Sequence, residues 1–203
     1  MTCLSASFYH QPTAVVSRNL VGKTLVRIIK SKNGIIRLAG TIVETEAYGF
    51  DDDLASHACM GPTPRNRVMF GEVGRAYVYF TYGNHFCLNV SARSSKVRAG
   101  AVLIRAIEPI QGIEMMRRFR PVDDILALTS GPGKLTHALN VTSALNGVDM
   151  TDPTSELYIE SGKEPENIVA TPRIGITRAT DKEWRFVDPS SPYVSRKIRI
   201  KSL

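Results

Sequence analysis

At 203 residues, with 43% hydrophobic and 22% charged residues, the chain has the length and balance of one globular domain with a substantial core. No apolar run is long enough to cross a bilayer, and the N-terminal stretch through Phe8 lacks the basic start and long apolar centre of an export signal, so an intracellular protein with no membrane partner is expected. A net charge of +7, from 26 Lys and Arg against 19 Asp and Glu, points to a polyanionic partner such as nucleic acid.

In chain order, the apolar spacing from Pro12 to Leu20 predicts a short helix leading into Gly22. Lys23 to Ile29 reads as a strand by its β-branched content, Ser31-Lys-Asn-Gly34 as a hairpin turn, and Ile35 to Leu38 as the partner strand. Thr41 to Tyr48 continues in strand pattern, and alternation puts Ile42, Glu44, Glu46 and Tyr48 on one face. Two acids sharing a face with a tyrosine do not describe an ordinary buried strand. From Gly49 to Val68 the chain reads as irregular, carrying the acidic triplet Asp51 to Asp53, then His57 and Pro62-Thr-Pro-Arg-Asn-Arg67.

Tyr77 to Thr81 and Phe86 to Val90 are aromatic-rich strands whose tight connection, Tyr82-Gly83-Asn84-His85, gives a ribbon that projects its tip. Ala101 to Ile107 is a third apolar run with Arg105 inside it; a guanidinium there needs a partner, and Glu44 and Glu46 are the candidates. Pro109 to Phe119 reads as helical, and Ser130-Gly-Pro-Gly-Lys134 opens a further helix through Ala138. The proline-broken C-terminal third supplies a last pair of strands, Arg173 to Ile176 and Trp184 to Val187, and a basic tail from Ser195 that is either phosphate-facing or solvated. No repeat or long linker divides the chain, so residues 1–203 are read as one domain.

Cys3, Cys59 and Cys87 are odd in number and have no C-x-x-C spacing, so reduced thiols are expected, with no metal site and no cofactor. Glu44 and Glu46 suit general acid–base work on a glycosidic bond, or equally an ion pair with Arg105. Glu46 is the better catalytic candidate, because Ala47 and Tyr48 follow it and shield its charge. Tyr48, His57, Tyr77, Tyr79 and Tyr82 are either sheet residues or a stacking pocket for a nucleobase. Around Gly131 to Thr136 the outline of a P-loop fails, with Leu128 in place of its first glycine and Leu135 in place of its hydroxyl residue; a backbone phosphate remains a candidate ligand for that helix start. Arg65 and Arg67 have the same candidate role. Two functions fit these pieces taken singly: a carbohydrate-directed glycosidase using Glu44 and Glu46, and a non-catalytic nucleic-acid module that leaves Glu46 unexplained.

Taken together and in order, Val43-Glu-Thr-Glu-Ala-Tyr48, His57, Thr63-Pro-Arg-Asn66, Tyr77-Val-Tyr79, Tyr82-Gly83, Cys87-x-Asn89, Val102-Leu-Ile-Arg-Ala-Ile-Glu-Pro109, Ser130-Gly-Pro-x-Lys134 and Pro172-Arg-Ile-Gly175 resemble the alkyladenine (3-methyladenine) DNA glycosylase family from about Gln11 to Ser195. The resemblance implies an α+β fold, a single compact domain with an antiparallel sheet, surrounding helices and a projecting hairpin. It also implies a monomeric, monofunctional enzyme that removes alkylated or deaminated purines from double-stranded DNA in base excision repair. Carried over residue by residue, Glu46 activates the water, with Arg105 and the carbonyl of Ile174 positioning it. Tyr48, His57 and Tyr79 enclose the flipped base, Asn89 sits at the pocket floor, and Tyr82 fills the gap in the duplex. Lys134, Arg65 and Arg67 are the expected backbone contacts. Asn84 and His85 do not match the family pattern.

Overall fold

The computed structural model describes residues 2–32, 34–81 and 83–197. Two short helices come first, α1 (Ala6–Tyr9) and α2 (Thr13–Leu20). Pro12 stands just before α2, where its missing N–H disrupts no helical bond, and the helix buries Val16, Ser17 and Leu20. The hairpin β1 (Thr24–Ser31) and β2 (Gly34–Tyr48) follows with Ser31 opposite Gly34. The two strands expected at Ile35–Leu38 and Thr41–Tyr48 are one continuous strand of 15 residues. Gly40 does not interrupt it; its lack of a side chain is what admits the neighbouring strand, since a Cβ there would lie 2.7 Å from Ile107 Cδ1 and 2.9 Å from the Glu108 carbonyl.

After the 3-10 turn Arg67–Phe70 come β3 (Ala76–Thr81), β4 (His85–Ser91) and β5 (Ala101–Gln111), then α3 (Ile113–Phe119) and α4 (Pro132–Ala138). The helix expected from Pro109 starts only at Ile113. Pro109 and Gln111 are still paired with Gly40 and Ala39, and Gly112 makes the change of direction at φ 77°, where an added Cβ would meet Leu38. The last strands are β6 (Leu157–Glu160), β7 (Val169–Thr171) and β8 (Arg185–Val187). Here the sequence reading needs correction: β7 lies upstream of the expected Arg173–Ile176, which forms no strand because Pro172 lacks the N–H a ladder requires. Strand β6 was not foreseen.

All pairings are antiparallel, in the order β3-β4-β5-β2-β1-β6, with β8 joining β2 and β7. The N-terminal half of β2 pairs with β1, while Glu44, Thr45 and Glu46 pair with β8; β5 runs along the other edge from Ala39 to Tyr48. Alternation divides the sheet. Val78, Leu88, Val90, Val102 and Ile104 join Val16, Leu20, Met116 and Leu135 of the helices in the main core, whereas Tyr77, Tyr79, Cys87, Asn89, Ala101 and Leu103 face a cavity on the other side. The result is a single compact α+β domain with a curled antiparallel sheet and four helices. No helix among the described residues is long and apolar enough to cross a membrane.

One irregularity decides which residues reach that cavity. The β2–β5 register slips between Ile42 and Glu44 and again between Glu44 and Thr45, so Val43 and Arg105 are each an extra residue in their strand. Ile42 therefore joins the core with Ile107 instead of sharing a face with Glu44, as simple alternation predicts. Glu44, Glu46 and Arg105 meet on the opposite side.

Candidate active site

Thr45 fixes the centre of β2 from behind. Its hydroxyl donates to the Ser17 carbonyl of α2 (2.8 Å) and accepts from the Ser17 hydroxyl (3.0 Å), which leaves Glu44 and Glu46 to point the other way. Both carboxylates are fully buried. Glu44 is enclosed by four hydrogen-bond donors: Arg105 Nε at 3.1 Å, Arg185 Nε at 2.7 Å, the Ser195 hydroxyl at 2.8 Å and the Ser195 N–H at 2.5 Å. Glu46 accepts from the Tyr48 hydroxyl (2.9 Å) and Arg105 Nη1 (3.1 Å) on one oxygen, and from the Ile174 N–H (2.7 Å) on the other. Ile174, whose carbonyl is the group expected to position the water, is itself tied to Glu46 by its N–H. Arg105 thus bridges two acids; burial works against its charge, but Glu46 and Glu44 outweigh burial and hold its pKa above the ordinary value.

In front of Glu46 lies a cavity of about 300 Å³. Tyr48, Arg105 and Ile174, the three partners of Glu46, all line it, and Glu46 itself stands one layer behind. Its side walls are Tyr79 and His57, with Tyr77 beside them: the His57 ring stands edge-on to Tyr79 at 4.7 Å, and Tyr77 lies 5.1 Å from Tyr79. His57 Nδ1 is 2.9 Å from the Tyr77 hydroxyl. Although His57 keeps exposed surface, partial burial against these rings and the positive charge of Arg65 push its pKa below the ordinary 6.5, which favours the neutral imidazole at pH 7. Burial raises the Tyr48 and Tyr79 hydroxyls and takes Tyr77 up to about 12. Asn89 is buried, and its amide donates to the Tyr77 carbonyl (3.0 Å), which locks the orientation it presents to the cavity.

Two residues the sequence reading missed hold the remaining wall. Arg173 is fully buried in its side chain and makes a bidentate pair with Asp53, both bonds at 2.7 Å, while Nη1 also donates to the Ala47 carbonyl (2.9 Å). Its guanidinium lies between the rings of Tyr48 (4.7 Å) and Trp184 (5.5 Å). Arg173 therefore ties the non-strand segment that supplies Ile174, Gly175 and Ile176 to both β2 and the irregular loop after it. The triplet Asp51 to Asp53 was the available signal, but nothing local says which of the three is buried.

The other expected residues fall around this centre. Arg65 is exposed with its guanidinium 4.9 Å from the Tyr79 ring centre, and Arg67 is exposed at the start of the 3-10 turn. Lys134 is half-buried on α4, 3.4 Å from the Ser130 hydroxyl. His85, unmatched in sequence, lies against Gly133 of α4, where a side chain would collide with its ring. Tyr82 lies outside the described residues.

Fold and site together describe an α+β enzyme whose aromatic cavity is backed by a buried carboxylate. The family model for methylpurine-DNA glycosylase matches residues 7–192. A protein of Methanocella arvoryzae named "Putative 3-methyladenine DNA glycosylase" is 48% identical over 97% of this chain and 98% of its own length. Proteins of the same name from Prosthecochloris aestuarii (47% identical, covering 93% of this chain and 89% of theirs) and Carboxydothermus hydrogenoformans (46%, covering 96% and 99%) are similar to it as well. The chain belongs to the methylpurine-DNA glycosylase family, and is thus a DNA glycosylase, a hydrolase of DNA repair.

Proposed function

We propose that the protein acts as a monomer on double-stranded DNA, takes alkylated purines of the 3-methyladenine and 7-methylguanine type or deaminated purines out of the helix, and hydrolyses the N-glycosidic bond to leave an abasic site. The observation that carries this reading is the position of Glu46, a fully buried carboxylate whose three hydrogen-bond partners all line an aromatic cavity. A purine slides between Tyr48 and the Tyr79–His57 wall, where stacking contributes roughly 1–3 kcal/mol per base. A water entering between Tyr48, Arg105 and Ile174 then loses a proton to Glu46 as its oxygen bonds to C1′ of the sugar. The electron pair of the glycosidic bond leaves with the base. An N3- or N7-alkylated purine already carries positive charge, departs as a neutral molecule and needs no acid.

Arg105 Nη1 and the Ile174 N–H each hold one oxygen of Glu46 and so fix how the carboxylate is presented to the water. Asn89 excludes the 2-amino group of guanine-type bases by crowding the floor. Tyr82 fills the gap left in the duplex, while Arg65, Arg67 and Lys134 hold backbone phosphates. Glu44, surrounded by Arg105, Arg185 and Ser195, has no face left for an acid pair, which speaks against a carbohydrate-directed mechanism. Glu46→Gln tests the reading: single-turnover excision from alkylated duplex, scored as alkali-labile sites, is expected to fall by roughly 10²–10⁴-fold with DNA binding retained. Near-wild-type excision would remove Glu46 from the mechanism. Because water attacks, borohydride is expected to trap no enzyme–DNA adduct.

A further inference from the structure

Away from the pocket, the loop between β4 and β5 gathers positive charge with no acid to match it. Arg93, Lys96 and Arg98 line a groove of about 400 Å³ with the hydroxyl residues Ser94 and Ser95. No carboxylate lines this groove, and among the described residues none of the three cations enters an ion pair. The loop is not loose. A turn closes it from the Val97 N–H to the Ser94 carbonyl (3.1 Å), and the Arg93 N–H donates to the Tyr9 carbonyl (3.1 Å). Nη1 of Arg93 is buried and has no hydrogen-bond acceptor among the described residues, although Arg93 also borders a neighbouring groove that holds Glu72 and Asp149.

The groove is joined to the pocket through a shared aromatic layer. Arg98 lies over the Phe50 ring (5.6 Å), and Phe50 and Phe70 pack in one cluster with Tyr48, Tyr77 and Tyr79. Pro62 edges the groove and begins the segment that carries Arg65, over Tyr79, and the exposed Arg67. A line of cations therefore runs from the pocket wall to the groove. Three cations and two hydroxyls without an acid suit a chain of phosphodiesters, which needs charge and donors at repeated positions and no apolar anchor.

We propose that the loop from Arg93 to Arg98 is a second DNA-contact surface, holding backbone phosphates of the duplex flank beyond the nucleotide in the pocket; this rests on the reading of that pocket as the place where DNA is engaged. The test is anisotropy on an undamaged duplex of about 30 base pairs between roughly 50 and 200 mM NaCl. Lys96→Ala with Arg98→Ala, both exposed, is expected to flatten the log–log salt slope by about 1.8, at about 0.9 per phosphate released. Lys96→Glu is expected to weaken binding further than Lys96→Ala. A charge-matched control, Lys30→Ala with Lys32→Ala at the exposed β1–β2 end, is expected to keep the wild-type slope. An unchanged slope in the loop variant, or an equal change in loop and control variants, overturns the proposal. Failure of the wild-type protein to excise any alkylated purine would sink the proposed activity instead, and would leave the slope comparison standing.

Discussion

Replacing Asp53 by alanine strips the buried Arg173 of its paired carboxylate. Both Asp53 oxygens receive a guanidinium bond at 2.7 Å, and they also accept the Gly49 N–H (2.9 Å) and the Ala55 N–H (3.3 Å). Neither partner of the ion pair has exposed side-chain surface, so water does not screen the charge left behind. Breaking a buried pair from one side costs roughly 3–5 kcal/mol. For a chain of this size each kcal/mol lowers Tm by about 2–4 °C, so a fall of about 6–20 °C is expected.

The same change should reach the chemistry by a separate route. Arg173 anchors the segment from which Ile174 donates to Glu46, and a hydrogen bond to a charged group contributes roughly 1.5–3 kcal/mol, about 10- to 150-fold in single-turnover rate if all of it acts in the transition state. Asp53→Leu combined with Arg173→Met separates the two effects, because apolar replacement of both partners of a buried pair is often neutral for stability. Urea unfolding should show stability largely recovered in the double variant, while single-turnover excision at 25 °C stays depressed because the Ala47 bond and the brace behind Tyr48 are gone. Asp53→Ala within 1 kcal/mol of wild type would refute the energetic reasoning, and full activity in the double variant would refute the positioning role.

Glu44→Gln should cost stability, read as Tm, more than chemistry, read as single-turnover rate, since three of its four hydrogen bonds go to Arg185 and Ser195, which do not line the cavity. Excision of a cationic purine should decline as pH falls from 6.5 through the depressed His57 pKa, because protonation puts a like charge in the pocket wall; His57→Gln should flatten that limb of the pH–rate profile. Asn89→Ser should speed excision of guanine-type bases relative to 3-methyladenine, and equal changes for both would deny Asn89 a discriminating role. Tyr82→Ala should slow excision from a well-paired duplex more than from a mismatched one, since extruding an already unpaired base costs less; an equal loss in both contexts would deny Tyr82 the wedge role.

Much of the pocket was legible because period-two alternation survives in β3, β4 and most of β5. Tyr77 and Tyr79 must share a side, Cys87 and Asn89 share that same side by pairing with them, and Ala101 and Leu103 follow from pairing in turn. The partners of Arg105 were legible for an energetic reason: a guanidinium in an apolar run has to find acid, and Glu44 and Glu46 were the acids on a strand pattern. Alternation failed for Ile42, because a bulge belongs to a pair of strands and neither strand announces it alone. Arg173 and Asp53 were invisible for a different reason. They stand 120 residues apart, one in an irregular loop and the other after a proline, where no periodicity assigns a face. The three-residue strands β7 and β8 are too short to carry a pattern, so their pairing could be misplaced by several residues.

The double service of β2 has a consequence in time. During synthesis Glu44, Glu46 and Asp53 emerge early, and Arg105 is the first of their cationic partners to follow; Arg173 and Arg185 come only after most of the chain. Until then three carboxylates bound for the interior share one guanidinium, and the half of β2 that bears two of them has no β8 beside it. Local contacts such as those of the β1–β2 hairpin can form as the chain appears, whereas the contacts of Glu44 with Arg185 and Ser195 need the C-terminal segment. A nascent chain stalled before Arg173 would already contain every buried residue of the main core, the last of which is Ile159, and would lack the guanidinium groups and the amide that brace Asp53, Glu44 and Glu46.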